Sequence, residues 1–356
     1  MENKEKLKRI LIPLLIVLFI IIAGVGAYFI WEKPPEAVSV QAQAPVPLAS
    51  AAPSPPVETI PPGEAPESER KDGVYTLLLA GKDELSNSTD TIIICRFDTK
   101  NHKLNAVTIP RDTLINNDWE IRKINCVYAG SDRGNHGEGI KALMWQLSRF
   151  TGFVPDCYAV VDLKTVENVI DTLGGVYFDV PVEIEKEDWM GEMWDYWDTL
   201  EPGYQLLNGF QCVAVCRHRH SYMTEDLGRI IVQQDFLKAA ASQFITLGNI
   251  PNASKVINIL ADSVETNLSS ANIAYFMRQL LMCSEDDVSF YTMPVYPATL
   301  QGYSYAVVDL ESWLPMLNED LNPYERQITA NDLDLVYHNY DGYFGTHWVD
   351  GSWYFE

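Results

Sequence analysis

Basic residues are scarce. The 356-residue chain holds 26 Lys plus Arg against 49 Asp plus Glu, a formal net charge of −23. Such a balance repels nucleic acid and anionic lipid headgroups alike, so it argues against DNA binding and against adhesion to a membrane by charge. Cysteine is sparse as well: there are six, and no Cys-x-x-Cys spacing occurs. That removes the usual frame of a zinc ribbon or a thioredoxin-like redox site. An even count still permits disulfides, in fifteen full pairings. Cys212 and Cys216 are four apart and fall on one helix face, where filling a core is commoner than binding metal. No repeat of 20–50 residues is visible, which excludes solenoids and propellers.

One long uncharged run is present. Ile10 to Ile30 are 21 consecutive positions without a charged side chain, and a helix needs about 20 apolar residues to cross a bilayer. A secretory signal has a shorter apolar core and a small-residue cleavage site. Here the run ends in Tyr28, Phe29, Ile30 and Trp31, which suits an uncleaved anchor with aromatics at the outer interface. Ala23, Gly24, Gly26 and Ala27 keep a cleaved signal as the alternative. Lys4, Lys6, Lys8 and Arg9 precede the run, and positive flanks stay cytoplasmic. The expected order is a cytoplasmic N-terminus (1–9), a transmembrane anchor (10–31), a Pro/Ala-rich linker (32–72), a catalytic domain (73–296) and an aromatic, acidic C-terminal extension (297–356). The chain is then a single-pass protein of the cell membrane with its catalytic domain outside. If extended, the linker spans up to ~120 Å at ~3.1 Å per residue.

From Gly73 the pattern reads as α/β. Val74–Ala80 is a continuous apolar run and a strand; Asp90 opens a second, and His102–Pro110 returns as a third. Helices are expected over Gly139–Phe150 and Leu163–Leu173, with strands at Cys157–Leu163 and Val176–Val180. Asp226 is placed to cap a helix running to about Leu247. The last 56 residues carry ten acids, one Arg and no Lys. Their aromatics suit packing against the main domain, with stacking on sugars as the alternative.

Against this acidic background a positive cluster stands out. Arg217, Arg219 and Arg229 fall within thirteen residues, and Arg111 sits alone in Pro110-Arg111-Asp112-Thr113. Guanidinium is a planar fork that matches phosphate oxygens two at a time and never loses its charge. A phosphate or diphosphate is the simplest ligand. On a helix, Asp226, Arg229 and Gln233 share one face; the plain alternative is an Asp226–Arg229 surface pair worth under ~1 kcal/mol. Arg217 and Arg219 project together only if that stretch is extended. Asp83 and Asp90 flank one short loop. They are either turn-forming aspartates or oxygen ligands for Mg²⁺ or Mn²⁺ shared with a substrate phosphate.

In number, order and spacing these residues resemble the LytR–CpsA–Psr family of extracytoplasmic enzymes, from about Tyr75 to Pro294. The motifs are Gly81-Lys82-Asp83, Asp90-Thr91, Pro110 to Thr113, Lys123-Ile124-Asn125 with Tyr128 and Gly130, Leu173-Gly174-Gly175-Val176, and Gly203, Leu206, Asn208 and Gly209. The closing set is Arg217, Arg219, Asp226, Arg229 and Gln233. Two family arginines are replaced, by Ser88 and Val232, which implies a weaker grip, a different substrate, or compensation by Arg122, Lys123 or Arg133. The resemblance implies a mixed β-sheet flanked by helices, with a pocket for a polyprenyl tail. It implies transfer of an anionic glycopolymer, such as teichoic acid or capsular polysaccharide, from a polyprenyl-diphosphate carrier to peptidoglycan with Mg²⁺. On that pattern Arg111, Lys123, Arg217, Arg219, Arg229 and Gln233 bind the lipid diphosphate. Asp83 and Asp90 hold the metal and Asp226 fixes the arginines; the base is Asp112 or a metal-linked aspartate, or none is needed if the transition state is loose. His218 and His220 lie where the pattern demands no residue. Competing readings are a polyprenyl-diphosphate pyrophosphatase on the same residues and a non-enzymatic regulator of envelope synthesis.

Overall fold

In the computed structural model the described residues are Pro34, 70–82, 88–117, 119–131, 138–185, 199–218, 231–233, 235–236, 239–240, 263–284, 287–339 and 342–345. The expected anchor, residues 10–31, lies outside them, as does nearly all of the linker. Among the described residues no helix is long and apolar enough to cross a membrane. The elements are β1 (Val74–Lys82), β2 (Thr89–Asp98), β3 (Lys103–Thr108), α1 (Cys126–Ser131), α2 (Glu138–Thr151), β4 (Cys157–Asp162), α3 (Leu163–Leu173), β5 (Val176–Val180), β6 (Gly203–Leu207) and α4 (Gly209–Arg217). Then follow β7 (Glu265–Thr266), α5 (Ser270–Leu281), β8 (Val288–Thr292), β9 (Val295–Leu300), β10 (Tyr303–Asp309), α6 (Leu310–Met316), β11 (Val336–Asn339) and β12 (Gly342–Gly345). The fold is therefore α/β with mixed sheets and helices. It divides into two compact units, one from Glu36–Val160 with Phe290–Glu356 and one within Val161–Ser289.

In the first unit β1, β2 and β3 form an antiparallel meander, with Leu78 opposite Ile94 and Cys95 opposite Ala106. The apolar runs make both faces of these strands dry. Every second residue, Leu78, Ala80, Ile92 and Ile94, meets the buried stripe Ile140, Leu143, Met144, Leu147 and Phe150 of α2. That stripe recurs at helical spacing, which is why α2 folds against a sheet rather than alone. A second sheet, β12-β11-β10-β9, is mixed: β10 pairs antiparallel with β9 and parallel with β11.

The segment read as a C-terminal extension supplies much of this unit's core. Trp313 is fully buried and donates its Nε1–H to the Phe150 carbonyl at 2.9 Å. Leu317, Leu321, Ile328, Leu333 and Leu335 join the same cluster. Residues Leu317–Leu321 form a π-helical turn. Arg149 of α2 is almost fully buried and pairs with Asp334, which also accepts from Asn116 Nδ2 at 2.7 Å. Its guanidinium lies 4.6 Å from the Trp145 ring centre.

In the second unit Asp162 caps α3 by accepting from the Thr165 N–H at 2.6 Å. Gly174 ends the helix at φ 91°. Gly175 follows at φ 98°, and a Cβ there would lie 2.6 Å from the Leu207 carbonyl oxygen, too close to exist. The Leu-Gly-Gly-Val motif is thus a stop followed by a close strand approach. Asn208 and Gln211 form a capping box at the start of α4. A Cβ on Gly209 would sit 2.2 Å from the Glu167 carbonyl oxygen, so the Asn-Gly pair lets α4 touch α3. β5 and β6 pair antiparallel and expose Tyr177 and Tyr204, whose near-parallel rings stand 5.7 Å apart.

Candidate functional site

Three of the motifs meet in the first unit. Pro110 to Thr113 is a β-turn: the Thr113 N–H and Oγ1–H both donate to the Pro110 carbonyl, at 3.0 and 2.6 Å. Arg111 and Asp112 are its two central residues. The outward carbonyls of the turn are all used. That of Arg111 accepts from the Asn125 N–H at 3.2 Å, that of Asp112 from the Ala306 N–H at 3.0 Å, and that of Thr113 from the Ile124 N–H at 3.0 Å. The Asn125 carbonyl in turn accepts from the Thr89 N–H at 3.2 Å, beside Asp90. The backbone around the arginine is therefore fixed from three sides, which is the requirement for a charge that must be aimed.

The side chains close on one another. Arg111 Nη1 donates to Asp90 Oδ1 at 3.3 Å, and its Nε lies 4.0 Å from Asp112 Oδ2. Lys123 Nζ is 3.0 Å from Asp112 Oδ1. Arg111 and Lys123 are 18% and 21% exposed, Asp112 26% and Asp90 37%. Two cations and two carboxylates thus sit half-buried in a connected chain of contacts. Cys126 stands next to them. Burial pushes its thiol up, Lys123 opposes this, and the Asp112 and Asp90 carboxylates add to it.

Arg217 and Gln233 belong to the second unit. Arg217 is the last residue of α4, and His218 leaves the helix at φ −58°, ψ 139°. Gln233 Nε2 donates to the Cys216 carbonyl at 2.8 Å, so this amide holds the C-terminal end of α4, one residue before Arg217. Val232 is buried at 6% exposure, so the side chain standing where the family usually has arginine faces the interior. Ser88 immediately precedes β2. Asp83, Arg133, Arg219, His220, Asp226 and Arg229 lie outside the described residues, as does most of the helix expected after Asp226. His218 is buried, its N–H on the Ala214 carbonyl at 3.0 Å. Arg122 turns its Nε to the Trp119 carbonyl at 3.0 Å; of the compensating cations expected, Lys123 is the one seen beside Arg111.

All six cysteines are free. Burial raises the thiols of Cys95 and Cys216 to about 12 and holds Cys212 well above its ordinary range. Among the described residues no group of three His, Cys, Asp or Glu side chains is arranged to hold a metal. Asp90 is the described half of the expected aspartate pair. One of its oxygens accepts from Arg111, so a divalent ion held here would need oxygens from elsewhere as well.

Sequence reasoning missed β10. Ala306 both donates to Asp112 and accepts from Leu114, and Tyr305 lies under Lys123 with its ring centre 5.8 Å from Nζ. The alternating Tyr303–Asp309 stretch identifies a strand, but nothing local in it points to Arg111.

The LytR_cpsA_psr family pattern matches residues 46–321. Cell wall biosynthesis protein LcpA of Corynebacterium glutamicum is 28% identical over 258 residues, 66% of this chain and 48% of that protein. Regulatory protein MsrR of Staphylococcus aureus strain Mu50 is 28% identical over 230 residues, 64% of this chain and 66% of that protein. The chain thus spans about half of the first relative and two thirds of the second. Among solved structures, Bacillus subtilis TagV aligns at TM-score 0.56 and 22% identity, covering 70% of this chain and 97% of TagV. TagT bound to LI-WTA aligns at TM-score 0.54 and 18% identity, covering 70% of this chain and 89% of TagT. These structural likenesses establish the fold, and the sequence match over most of its length establishes that the chain belongs to the LytR–CpsA–Psr family.

Proposed function

We propose that this protein is an extracytoplasmic, membrane-anchored transferase. It moves an anionic glycopolymer of the teichoic acid or capsular type from a polyprenyl-diphosphate carrier to peptidoglycan. The observation that carries the reading is the Arg111 turn, built from three separate motifs and locked by backbone hydrogen bonds. A guanidinium that is already oriented stabilises charge as it develops on a departing phosphate, and costs no reorganisation at that moment. Arg111 and Lys123 supply this charge from the first unit. Arg217, Arg219 and Arg229, with Asp226, are the further diphosphate-binding residues that the family pattern implies. Gln233 acts through the end of α4, by holding the backbone next to Arg217. Asp90, with Asp83, would hold Mg²⁺ (or Mn²⁺) together with diphosphate oxygens, and the ion when bound adds neutralising charge there. Asp112 already accepts from Lys123, so as a base it must exchange that partner for the acceptor hydroxyl.

The test is transfer of a labelled polyprenyl-diphosphate glycan to peptidoglycan by the purified full chain. Wild type is expected to give labelled peptidoglycan and polyprenyl phosphate. Arg111→Ala is expected to lower the rate about 10²–10³-fold with the melting temperature unchanged. Release of free glycan phosphate without peptidoglycan labelling would replace transfer by pyrophosphate hydrolysis. Binding of the lipid without turnover would point to the regulatory reading.

A further inference from the structure

We infer that Tyr305, on a strand outside the matched motifs, is a positioning residue that holds Lys123 in the anionic-ligand site. Four contacts tie it and its neighbour on the strand to the site. Its ring centre lies 5.8 Å from Lys123 Nζ. Its hydroxyl oxygen accepts from the Arg122 N–H at 3.2 Å, which fixes the backbone one residue before Lys123. The next residue on the strand, Ala306, makes two hydrogen bonds to the Arg111 turn, receiving the Leu114 N–H at 2.9 Å and giving its own N–H to Asp112 at 3.0 Å. The ring itself is 3% exposed and packed among Leu114, Leu300, Val307 and Val336, so it cannot swing away.

A lysine ammonium on a four-carbon stem has many rotamers, and leaving it free costs entropy each time a ligand binds. Here the ammonium is held between the Asp112 carboxylate at 3.0 Å and the electron-rich ring of Tyr305. The carboxylate sets its direction toward Arg111; the ring supports it from the buried side. Tyr305 touches neither phosphate nor metal in this scheme, and acts through Lys123. The inference adds a residue to the site of the proposed function, and its first test does not depend on that function.

That test is acetylation of the full chain by acetic anhydride, with the rate at Lys123 followed by peptide mass spectrometry. In wild type, Lys123 should react slowly. Tyr305→Leu should raise its rate about two- to fivefold, while Tyr305→Phe, which keeps the ring and gives up only the hydroxyl contact to the Arg122 N–H, stays closer to the wild-type rate than to that of Leu. Replacing Tyr305 by pentafluorophenylalanine preserves shape but removes the negative ring face, and it should behave as Leu does; this variant decides the matter if Leu does not fold. Equal rates in all four proteins, or a fluorinated ring that protects as well as tyrosine, would overturn the inference.

The second measurement uses farnesyl diphosphate as probe, with the dissociation constant read by calorimetry. Tyr305→Leu should weaken binding about two- to fivefold in the wild-type background and not at all in Lys123→Met. The same loss in both backgrounds would make Tyr305 a purely structural residue. A wild-type chain that ignores farnesyl diphosphate, while Lys123 still shows the expected labelling pattern, would overturn the diphosphate reading and leave the Tyr305–Lys123 link standing.

Discussion

Asp320→Asn should stabilise the protein at neutral pH and do nothing at pH 3. Asp320 sits in the π-helical turn Leu317–Leu321, 8% exposed, and its Oδ1 accepts from Asn105 Nδ2 at 3.1 Å. Burial raises its carboxyl to about 6 from the usual 3.8; Glu319 adds to the rise, while a Tyr291 hydrogen bond and Arg96 oppose it. The folded state therefore holds this proton more tightly than the unfolded chain does. Its contribution is fully present below pH 3.8 and is lost as pH rises through about 6. A shift of two units at 1.36 kcal/mol each makes the loss about 2–3 kcal/mol by pH 7.5. Asparagine keeps an oxygen for Asn105 and has no charge to bury, so the variant does not incur this loss. Melting followed by circular dichroism should show the two proteins equal near pH 3. At pH 7.5 the variant should lead by about 4–12 °C, at about 2–4 °C per kcal/mol. A variant that melts at or below the wild-type temperature at pH 7.5 would refute the argument, because the buried charge would then be compensated by its neighbours.

Other outcomes follow from the same geometry. Arg149→Ala leaves Asp334 without its guanidinium and empties a space beside Trp145; a loss of about 2–4 kcal/mol in urea unfolding is expected, somewhat under the full cost of breaking a buried pair because Asp334 is 30% exposed. Gly209→Ala forces a methyl group to 2.2 Å from the Glu167 carbonyl, so α4 must move away from α3; a fall in melting temperature with reduced soluble yield is the readout, and unchanged melting would show that the two helices are not in tight contact. Native protein should react slowly with a thiol reagent at Cys95, Cys157 and Cys212, all buried with thiols held well above their ordinary range. After unfolding in guanidinium, six thiols should titrate.

Much of the scaffold was legible because its boundaries are local. The helix Leu163–Leu173 follows from an aspartate before it and two glycines after it, and the structure keeps both ends. The third strand is shorter than His102–Pro110 for equally local reasons: His102 has φ 53° in the turn, and proline has no N–H to give the ladder. The site was legible only in pieces. Arg111 was found by its motif, but its partners on β10 come from almost the other end of the chain, and no periodicity reports a contact of that span. Arg217 was expected beside Arg219 if the stretch were extended; helix α4 instead runs through Arg217 and ends there. Gln233 was placed on a face with Arg229 by helical spacing and assigned to the diphosphate by the family pattern, and its amide is seen on the Cys216 carbonyl. Spacing identifies which residues share a face, not which backbone atom that face meets.

The hydrogen bonds between Ala306 and the Arg111 turn set an order of events. A ribosome emits Arg111 nearly two hundred residues before Ala306. Until that strand arrives, the Asp112 carbonyl and the Leu114 amide have no native partner, and the core that needs Trp313 is still open. The arginine turn is therefore among the last parts of the protein to become rigid. A nascent or truncated chain ending before β10 would carry every one of the matched motifs in its sequence and yet lack an assembled turn at Arg111.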